Sequence, residues 1–365
     1  MIPTHTGQET RATLTLTFPF PVPPAPNPTP LADAELATAA TTLNRLLDTL
    51  DGVLFGQRAL TELVVTGVLA RGHILLEGLP GLGKTELVKG LARALGLSAR
   101  RVQFTPDLLP GDITGNPMLQ EIDGRRQFVF QPGPIFANIL LADEINRASP
   151  KTQSALLEAM QERRVTAAGE THPLPDPFFV LATQNPIELE GTYPLPEAQL
   201  DRFLFKLEVH RNAPEVLQRI VLQRELGAEP AVASVVSREE FAELLGFVHR
   251  MFMPEAVANY IARLVHATHP GESAASAGVR YGASPRAALG LAAAAKARGL
   301  RLGRPHASFE DVEAVAVPVL GHRIILDHTA RLDGATTHGV VEKLLAEIPA
   351  QPKSLPGTLA AAKIA

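Results

Sequence analysis

The amino-acid sequence predicts an α/β domain with a mostly parallel sheet, followed by a smaller all-helical domain. In the first part of the chain, short runs with β-strand character alternate with helical patterns, as strands and crossover helices do in parallel sheets. A glycine-rich segment separates the first well-defined strand run from the helical pattern that follows it. After His210 the strand signals stop, and one helical pattern follows another.

Length and composition limit the classes of protein to be considered. The 365 residues are enough for one large domain and a smaller one, each with its own buried core. The chain has no cysteine, which excludes disulfides, thiolate metal sites and cysteine nucleophiles and suits a cytoplasmic protein. A formal net charge of −4 gives no sign of a polyanionic partner, so nucleic acid is an unfavoured partner.

The first segment of the chain, Met1 to Pro30, is rich in Thr and Pro and predicts a flexible or polyproline-like tail. Its apolar stretch from Leu14 to Val22 is interrupted by Thr and Pro, and no Lys precedes it, so we expect no signal peptide. No apolar run approaches the roughly 18 residues of a membrane helix. We therefore expect a soluble protein without membrane insertion.

Two helical patterns come next, and the strand runs follow them. Apolar residues recur at helical spacing in Asp33 to Leu50 and again in Gln57 to Arg71. The predicted strands are His73 to Glu77, Val102 to Thr105, Ile139 to Asp143, Phe178 to Thr183 and Phe203 to Val209.

Helix start and stop signals delimit the second domain. The predicted helix from Ala213 to Leu226 has Asn212 before it and Gly227 behind it. The other signals are a capping box of Ser237 with Glu240, Ser284 followed by Pro285, and Ser308 with Asp311. We divide the chain into a Pro-rich tail (1–32), an α/β core (33–210), a helical domain (211–332) and a C-terminal helix and tail (333–365).

The glycine-rich segment fits the pattern GxxxxGK[ST] and lies between a predicted strand and a predicted helix, Lys84 to Leu95. Glycines allow the backbone to turn so that successive N–H groups point at phosphate oxygens, and the helix N-terminus adds partial positive charge. Lys84 is expected to reach the β- and γ-phosphates, and Thr85 to offer its hydroxyl to Mg²⁺. The candidate phosphate-binding residues are Gly78, Pro80, Gly81, Leu82, Gly83, Lys84, Thr85 and Glu86.

Two adjacent acids end the predicted buried strand that begins at Ile139. The carboxyl ends of parallel strands are where open α/β sheets bind ligands. Because neighbouring side chains on a strand point in opposite directions, we expect the two acids to have different tasks. Asp143 would hold the Mg²⁺ shell, and Glu144 would take a proton from the attacking water.

Six motifs together resemble the AAA+ ATPases, and in detail the MoxR branch, over about Asp33 to Leu332. They are the phosphate loop, Phe104-Thr105-Pro106-Asp107-Leu108-Leu109-Pro110-Gly111-Asp112, Leu141-Ala142-Asp143-Glu144-Ile145-Asn146-Arg147-Ala148, Ala182-Thr183-Gln184-Asn185-Pro186, Leu195-Pro196-Glu197-Ala198-Gln199-Leu200-Asp201-Arg202-Phe203 and Gly282-Ala283-Ser284-Pro285-Arg286. The resemblance implies an AAA+ core with a five-stranded sheet and a helical lid, ATP and Mg²⁺ as cofactors, and a homo-oligomeric ring of six subunits.

The resemblance also implies roles that spacing alone does not assign. Asn185 matches sensor 1, which orients the lytic water beside Glu144. Arg202 matches the arginine finger that enters the adjacent subunit's site, and Arg286 matches sensor 2. Gly56 and Gln57 lie where the family has its adenine-side segment. Because an arginine supplied in trans is worth roughly 10³ to 10⁵ in rate, we expect an isolated subunit to be nearly idle.

Two further segments predict hairpins. Asp123-Gly124, between two alternating stretches, is typical of a hairpin turn, and Val165 to Pro175 has Gly169 at its middle. The family carries insertions at comparable positions that line the pore or contact substrate. Two ordinary surface loops fit these segments equally well.

The leading functional hypothesis is a MoxR-like ATPase that remodels or matures a partner protein, in the manner of a chaperone. In the resembled family, that partner often carries a von Willebrand factor A domain. The alternatives are an AAA+ motor acting on nucleic acid, a chelatase-type metal-insertion motor and a small-molecule kinase with the same phosphate loop. A kinase needs no arginine from a neighbour, so activity independent of oligomerisation would favour it. An ATP-gated scaffold is hard to reconcile with the presence of both Glu144 and Asn185.

Overall fold

A computed structural model describes residues 29–79, 81–122, 125–167, 169–186, 191–225 and 232–351. Most of the predicted Pro-rich tail, Pro80, the turn residues Asp123 and Gly124, and the last fourteen residues lie outside the described part of the chain. The predicted domain boundaries stay predictions.

In chain order, the strands of the described residues are β1 (Ile74–Glu77), β2 (Ala99–Gln103), β3 (Gly115–Ile122), β4 (Arg125–Pro132), β5 (Ile139–Asp143), β6 (Arg164–Ala167), β7 (Glu170–Pro173), β8 (Phe179–Gln184), β9 (Phe205–Glu208), β10 (Val279–Tyr281) and β11 (Ile325–Leu326). The α-helices are α1 (Asp33–Asp51), α2 (Arg58–Leu69), α3 (Lys84–Ala94), α4 (Pro110–Thr114), α5 (Pro150–Glu162), α6 (Glu197–Leu200), α7 (Pro214–Gln223), α8 (Arg238–Arg250), α9 (Glu255–His266), α10 (Pro285–Arg301), α11 (Phe309–Leu320), α12 (His328–Leu332) and α13 (Thr337–Glu347).

The central sheet has five parallel strands in the order β2-β5-β8-β1-β9. It contains a strand at each of the five predicted positions, so the predicted α/β core is confirmed. The largest difference is β2, which begins at Ala99 rather than at Val102. β2 lies at the sheet edge, and Ala99, Arg100 and Arg101 are exposed, so its first residues lack the apolar alternation on which the prediction depended.

Alternate residues of the buried strands enter two hydrophobic cores, one on each face of the sheet. On β5, Leu140 and Ala142 pack into one core, which also contains the apolar side of α5. Ile139 and Leu141 point to the opposite core, which includes α1, α2 and α3. Because the strands are covered on both faces, the carboxyl edge of the sheet is the place where polar side chains can gather.

The second unit is helical, with α10 in contact with α8, α9 and α11. It also contains a small antiparallel pair, β10 with β11, that the sequence did not predict. These strands are only three and two residues long, too short for a recognisable alternation. Since α10 also packs against α1 and α2, the large core continues from the sheet into this unit.

The helix caps of the second unit follow the predicted signals except at α7, where Ala213 rather than the predicted Asn212 is the N-cap residue. Ser237 and Glu240 form the predicted capping box at the start of α8, and α10 begins at Pro285 after Ser284. However, α7 ends at Gln223, before the predicted Leu226. Arg224 is extended, and its guanidinium donates to the carbonyls of Gly52 (2.6 Å) and Val53 (3.1 Å), a tertiary contact that ends the helix.

Both predicted hairpins are present as antiparallel pairs, β3 with β4 and β6 with β7. The turn that joins β3 to β4 lies outside the described residues, and Gly169 in the second hairpin has a φ of +85°. The first hairpin presents apolar surface through Phe128, which is 74% exposed, and through Met118 and Leu119, each 54% exposed.

Every helix of the described residues is too short or too polar to cross a bilayer.

A buried histidine links the sheet to α5 and makes stability depend on pH. His73 accepts a hydrogen bond at Nδ1 from the Val180 N–H (3.0 Å), so the neutral ring carries its proton on Nε2, which faces the Met160 carbonyl at 3.2 Å. Burial lowers the pKa of His73 to about 4. The neutral form is therefore favoured in the folded state.

We expect the free energy of unfolding to fall as the pH drops from about 6.5 toward 4. In this window the unfolded chain takes up a proton at residue 73 that the folded chain excludes, at a cost of up to about 3 kcal/mol. Denaturant titrations between pH 4 and 8 measure this slope, and His73→Gln should reduce it; buried His322, whose pKa is also lowered by burial, contributes to the slope that remains. The control is His249→Gln, which removes an exposed histidine. Equal slopes in wild type and His73→Gln would contradict the assignment.

Candidate functional site

The predicted phosphate loop connects β1 to α3 at the carboxyl edge of the sheet. Gly81 and Gly83 have φ values of +81° and +79°, in the left-handed region that favours glycine. A Cβ atom on Gly78 would lie 2.8 Å from the carbonyl oxygen of Val209, so the residue that follows β9 packs directly against the loop. The Lys84 ammonium donates to the Gly78 carbonyl at 2.7 Å. The loop is thus tightly curved around the lysine.

A cavity of about 390 Å³ lies in front of this loop. Of the predicted site residues, it is lined by Gly81, Gly83, Lys84, Thr85, Glu86, Asp143, Glu144 and Asn185. They come from the loop, from the first turn of α3 and from the ends of β5 and β8. The structure therefore brings a lysine, a threonine, two carboxylates and an amide to one cavity at the edge of the sheet.

Each of the two acids is held by its own set of donors. Asp143 accepts from the Thr183 hydroxyl at 2.6 Å and from Arg101, whose Nε and one terminal nitrogen lie 3.0 and 2.7 Å from Oδ2. Glu144 follows Asp143 with a φ of +56°, a left-handed conformation that turns it out of the strand direction. Its Oε2 accepts from Gln103 (2.6 Å) and Arg147 (3.1 Å). The two acids therefore have different hydrogen-bond partners, and their different tasks stay a prediction.

Arg101, Gln103, Arg147 and Thr183 were not among the predicted site residues. Arg101 and Gln103 lie two positions apart on β2, and therefore on one face of the strand, next to β5. Their signal in the sequence is a pair of polar residues spaced by two at a strand end. Two such residues can be assigned to the site only when β2 is known to pair with β5.

Two opposing effects act on the pKa of Lys84. Partial burial lowers the pKa of Lys84, and the nearby carboxylates of Asp143, Glu144 and Glu77 oppose that shift. A polyphosphate in the cavity would add negative charge close to the ammonium and favour its protonated form.

The oxygen atoms in the cavity suit a hard divalent cation. Thr85 and Asp143 both line it and supply a hydroxyl and a carboxylate oxygen. Within the described ranges, no group of three or more His, Cys, Asp or Glu side chains could hold a metal ion by itself. Mg²⁺ is commonly held by only one or two protein side chains together with substrate phosphates and water. The donor set thus fits Mg²⁺ brought in with a nucleotide.

A second cavity, of about 210 Å³, shares Gly81, Gly83 and Glu86 with the first. Its other lining residues are Val53, Leu54, Phe55, Leu82, Asn212, Ile220 and Arg224. Two guanidiniums face the Phe55 ring, with their central carbons 4.6 Å (Arg219) and 5.1 Å (Arg224) from its centroid. These mostly apolar walls beside a phosphate loop suit the flat base of a nucleotide.

Gly56 and Gln57, predicted on the adenine side, do not line this cavity but support its wall. Gly56 has a φ of +71°, and a Cβ there would lie 2.5 Å from a methyl carbon of Val216 on α7. Gln57 donates to the His210 carbonyl (2.9 Å) and the Asn212 amide oxygen (3.0 Å). Both residues therefore hold α7 and the segment before it close to the base side of the site.

The two predicted arginines lie elsewhere. Arg202 and Arg286 line a third cavity, of about 220 Å³, together with His73, Met160, Gln161 and Asp201. His73 precedes β1 whereas the phosphate loop follows it, so the two cavities lie at opposite edges of the sheet. The chain does not bring Arg202 or Arg286 to its own phosphate cavity.

Both arginines share one partner on α5. Arg202 donates to the Leu157 carbonyl at 3.1 Å and to the side-chain oxygen of Gln161. The Arg286 guanidinium lies 3.5 Å from the same Gln161 oxygen and 4.0 Å from the Asp201 carboxylate. Arg202 remains partly exposed, and its Nε is buried without a hydrogen-bond partner among the described residues.

Comparison with known proteins places the chain among ATPases. Residues 73–205 match the ATPase family associated with various cellular activities (AAA), and residues 271–344 match the AAA lid domain. A crystal structure of a Cytophaga hutchinsonii protein, provisionally assigned as an ATPase, superposes with a TM-score of 0.81 at 39% identity. The superposition covers 87% of this chain and 97% of the Cytophaga hutchinsonii protein.

Similarity to three further proteins extends over most of the chain. The chain is 42% identical to Chaperone MoxR1 of Mycobacterium tuberculosis over 343 residues, 90% of each chain. It is 42% identical to the uncharacterized protein YeaC of Bacillus subtilis over 307 residues, 84% of this chain and 94% of that one. Protein MoxR of Methylorubrum extorquens is 33% identical over 297 residues, 74% of this chain and 84% of that one. The parallel sheet, the phosphate loop, the lid and these similarities confirm the predicted resemblance, and the chain belongs to the MoxR family of AAA+ ATPases.

Proposed function

We propose that this protein binds ATP with Mg²⁺ and hydrolyses it in an oligomeric ring. The observation that carries the proposal is the separation of two half-sites. Lys84, Asp143, Glu144 and Asn185 meet at one edge of the sheet, whereas Arg202 and Arg286 lie at the opposite edge. A head-to-tail contact between two copies would join one half-site to the other.

In the proposed reaction, water attacks the γ-phosphorus, its proton passes to Glu144, and ADP leaves as the bond to the β-phosphate oxygen breaks. The backbone N–H groups of the loop and the Lys84 ammonium hold the phosphates. Thr85 and Asp143 would hold Mg²⁺, which would supply positive charge to the bound phosphates. Asn185 orients the water.

The hydrogen bonds to Glu144 set a condition for this chemistry. Glu144 is now held by Gln103 and Arg147, which draw its carboxylate toward themselves. Both hydrogen bonds end on Oε2, so the proton of the attacking water would pass to Oε1, or Oε2 would first have to exchange one of these partners for the water.

The arginines would complete the site of the neighbouring copy. Arg202 and Arg286 each carry a guanidinium on the edge of the subunit that lacks a phosphate loop. Both would place positive charge near the neighbour's γ-phosphate, where charge develops during transfer. A ring of six subunits, as the family resemblance implies, satisfies every such contact.

The proposed role of ATP turnover is to remodel or mature a partner protein, in the manner of a chaperone. The support is the similarity to a protein named Chaperone MoxR1 and to proteins named MoxR. The partially apolar hairpin β3–β4 is an exposed surface suited to contact with a client. A protein with a von Willebrand factor A domain stays the proposed class of partner.

Dilution of the protein tests this proposal. Specific ATPase activity should fall by more than about tenfold as the protein is diluted through the concentration range in which its oligomer dissociates. Sedimentation measures the oligomer, and phosphate release measures turnover. Nucleotide binding, measured in parallel by fluorescence, should not follow the same curve. Activity that stays constant while the oligomer dissociates would contradict the trans arrangement and favour a small-molecule kinase.

A further inference from the structure

The segment that carries Arg202 connects α6 to β9 and is bonded to the lid on both sides of the arginine. Arg323, which follows α11, donates from Nε to the Asp201 carboxylate at 2.7 Å. Its two terminal nitrogens donate to the carbonyls of Asp201 (3.2 Å), Phe203 (2.6 Å) and Leu204 (3.1 Å). One buried guanidinium thus binds the residue before Arg202 and the two residues after it.

Two further lid residues support the same segment. His322 lies 3.0 Å from the Phe203 carbonyl through Nε2, and the Ser284 hydroxyl donates to the second Asp201 carboxylate oxygen at 3.1 Å. Arg323 also bonds the Val319 carbonyl in α11, so the guanidinium is tied to its own helix. The lid holds the backbone around residue 202, while the Arg202 side chain rests on α5 of the core.

We propose that Arg323 is a positioning residue that fixes the backbone around Arg202 to the lid, so that the lid sets where this arginine meets the neighbouring copy. This inference rests on the proposed role of Arg202 in trans. It assigns to the lid the control of a residue that belongs, in sequence, to the core domain.

The chemistry of arginine explains why this position needs a guanidinium. Its planar fork reaches a carboxylate and several carbonyls at fixed angles, whereas a lysine ammonium is a compact point charge. The Arg323 side chain is only 4% exposed, so water cannot replace the lost donors. Arg323→Lys should therefore keep the charge near Asp201 but release part of the segment. A shift of about 1 Å in a catalytic group can cost on the order of 10² in rate.

The first experiment compares steady-state kinetics of the full-length wild type and Arg323→Lys. We expect kcat for ATP hydrolysis to fall by roughly ten- to a hundredfold, with KM changed by less than about threefold. We expect kcat to change more than KM because each chain's own phosphate cavity stays intact, whereas the Arg202 that it supplies to its neighbour is misplaced. Asp201→Asn, which keeps the shape and removes the charge, should show the same split with a smaller fall in kcat.

A second experiment asks where the defect acts. Arg323→Lys subunits are mixed with Lys84→Ala subunits, which have an intact arginine segment but a disabled phosphate loop. Activity should recover, because the Lys84→Ala neighbour supplies a correctly placed Arg202 to the intact cavity of the Arg323→Lys subunit. A variant damaged in its own nucleotide site would not recover.

Arg301→Lys is the matched control. Arg301 is also a buried lid arginine, with an 8% exposed side chain, and its ion pair with Glu62 (3.1 Å) joins the lid to α2. The same substitution should change the melting temperature by a similar amount and leave kcat within about twofold of wild type. Equal losses of kcat in Arg301→Lys and Arg323→Lys would show a general effect of loosening the lid and overturn the proposal.

Two other results would overturn it. One is a kcat of Arg323→Lys and Asp201→Asn within twofold of wild type. The other is a loss of kcat that Lys84→Ala subunits do not restore although they do restore Arg202→Ala. If Arg202→Ala itself is not restored, the proposed trans arrangement fails, and this inference fails with it.

Discussion

Glu144→Gln should lower kcat for ATP hydrolysis by roughly 10² to 10⁴ while nucleotide affinity stays within a few-fold of wild type, because the change removes the proposed general base. The amide of Gln has nearly the shape of the carboxylate and can still accept from Gln103 and Arg147, which hold Glu144 in the folded chain. Phosphate release measures the turnover, and equilibrium titration with a fluorescent ATP analogue measures the binding.

The control for this prediction is Glu243→Gln, the same chemical change at an exposed position on α8. It should leave turnover and binding unchanged. Turnover by Glu144→Gln within twofold of wild type would exclude Glu144 as the base. A parallel loss of nucleotide binding would instead assign Glu144 to binding.

Arg202→Ala should lower kcat by about 10³ to 10⁵, the range found when an arginine finger is removed. ATP affinity should change little, because Arg202 lies at the opposite edge of the sheet from the phosphate cavity of its own chain. The exposed Arg331, on α12, provides the control substitution Arg331→Ala.

Mixing decides whether Arg202 acts on a neighbour. Arg202→Ala subunits retain the phosphate cavity, and Lys84→Ala subunits retain the arginine, so neither should be active alone. In an equal random mixture, about a quarter of head-to-tail interfaces pair an intact cavity with an intact arginine. Partial recovery of activity is therefore expected, whereas no recovery at any mixing ratio would contradict catalysis between subunits.

The amino-acid sequence alone determined the fold class and one half of the candidate site. The phosphate loop, the acids at the end of β5 and Asn185 after β8 each lie next to their own strand, so local pattern placed them at the same edge of a parallel sheet. The helix cap Ser237 was recognisable for the same reason, because its capping bonds lie within its own first turn.

Only the tertiary structure decided which residues act on those acids and where the arginines lie. Arg101 and Gln103 reach Asp143 and Glu144 because β2 pairs with β5, strands separated by a long stretch of chain. Arg202 and Arg286, distant in sequence, share one cavity because the lid packs against the segment after α6. Local sequence patterns do not predict contacts between segments that are far apart in the chain. The division of the candidate site between two edges of the molecule therefore became visible only in the folded chain.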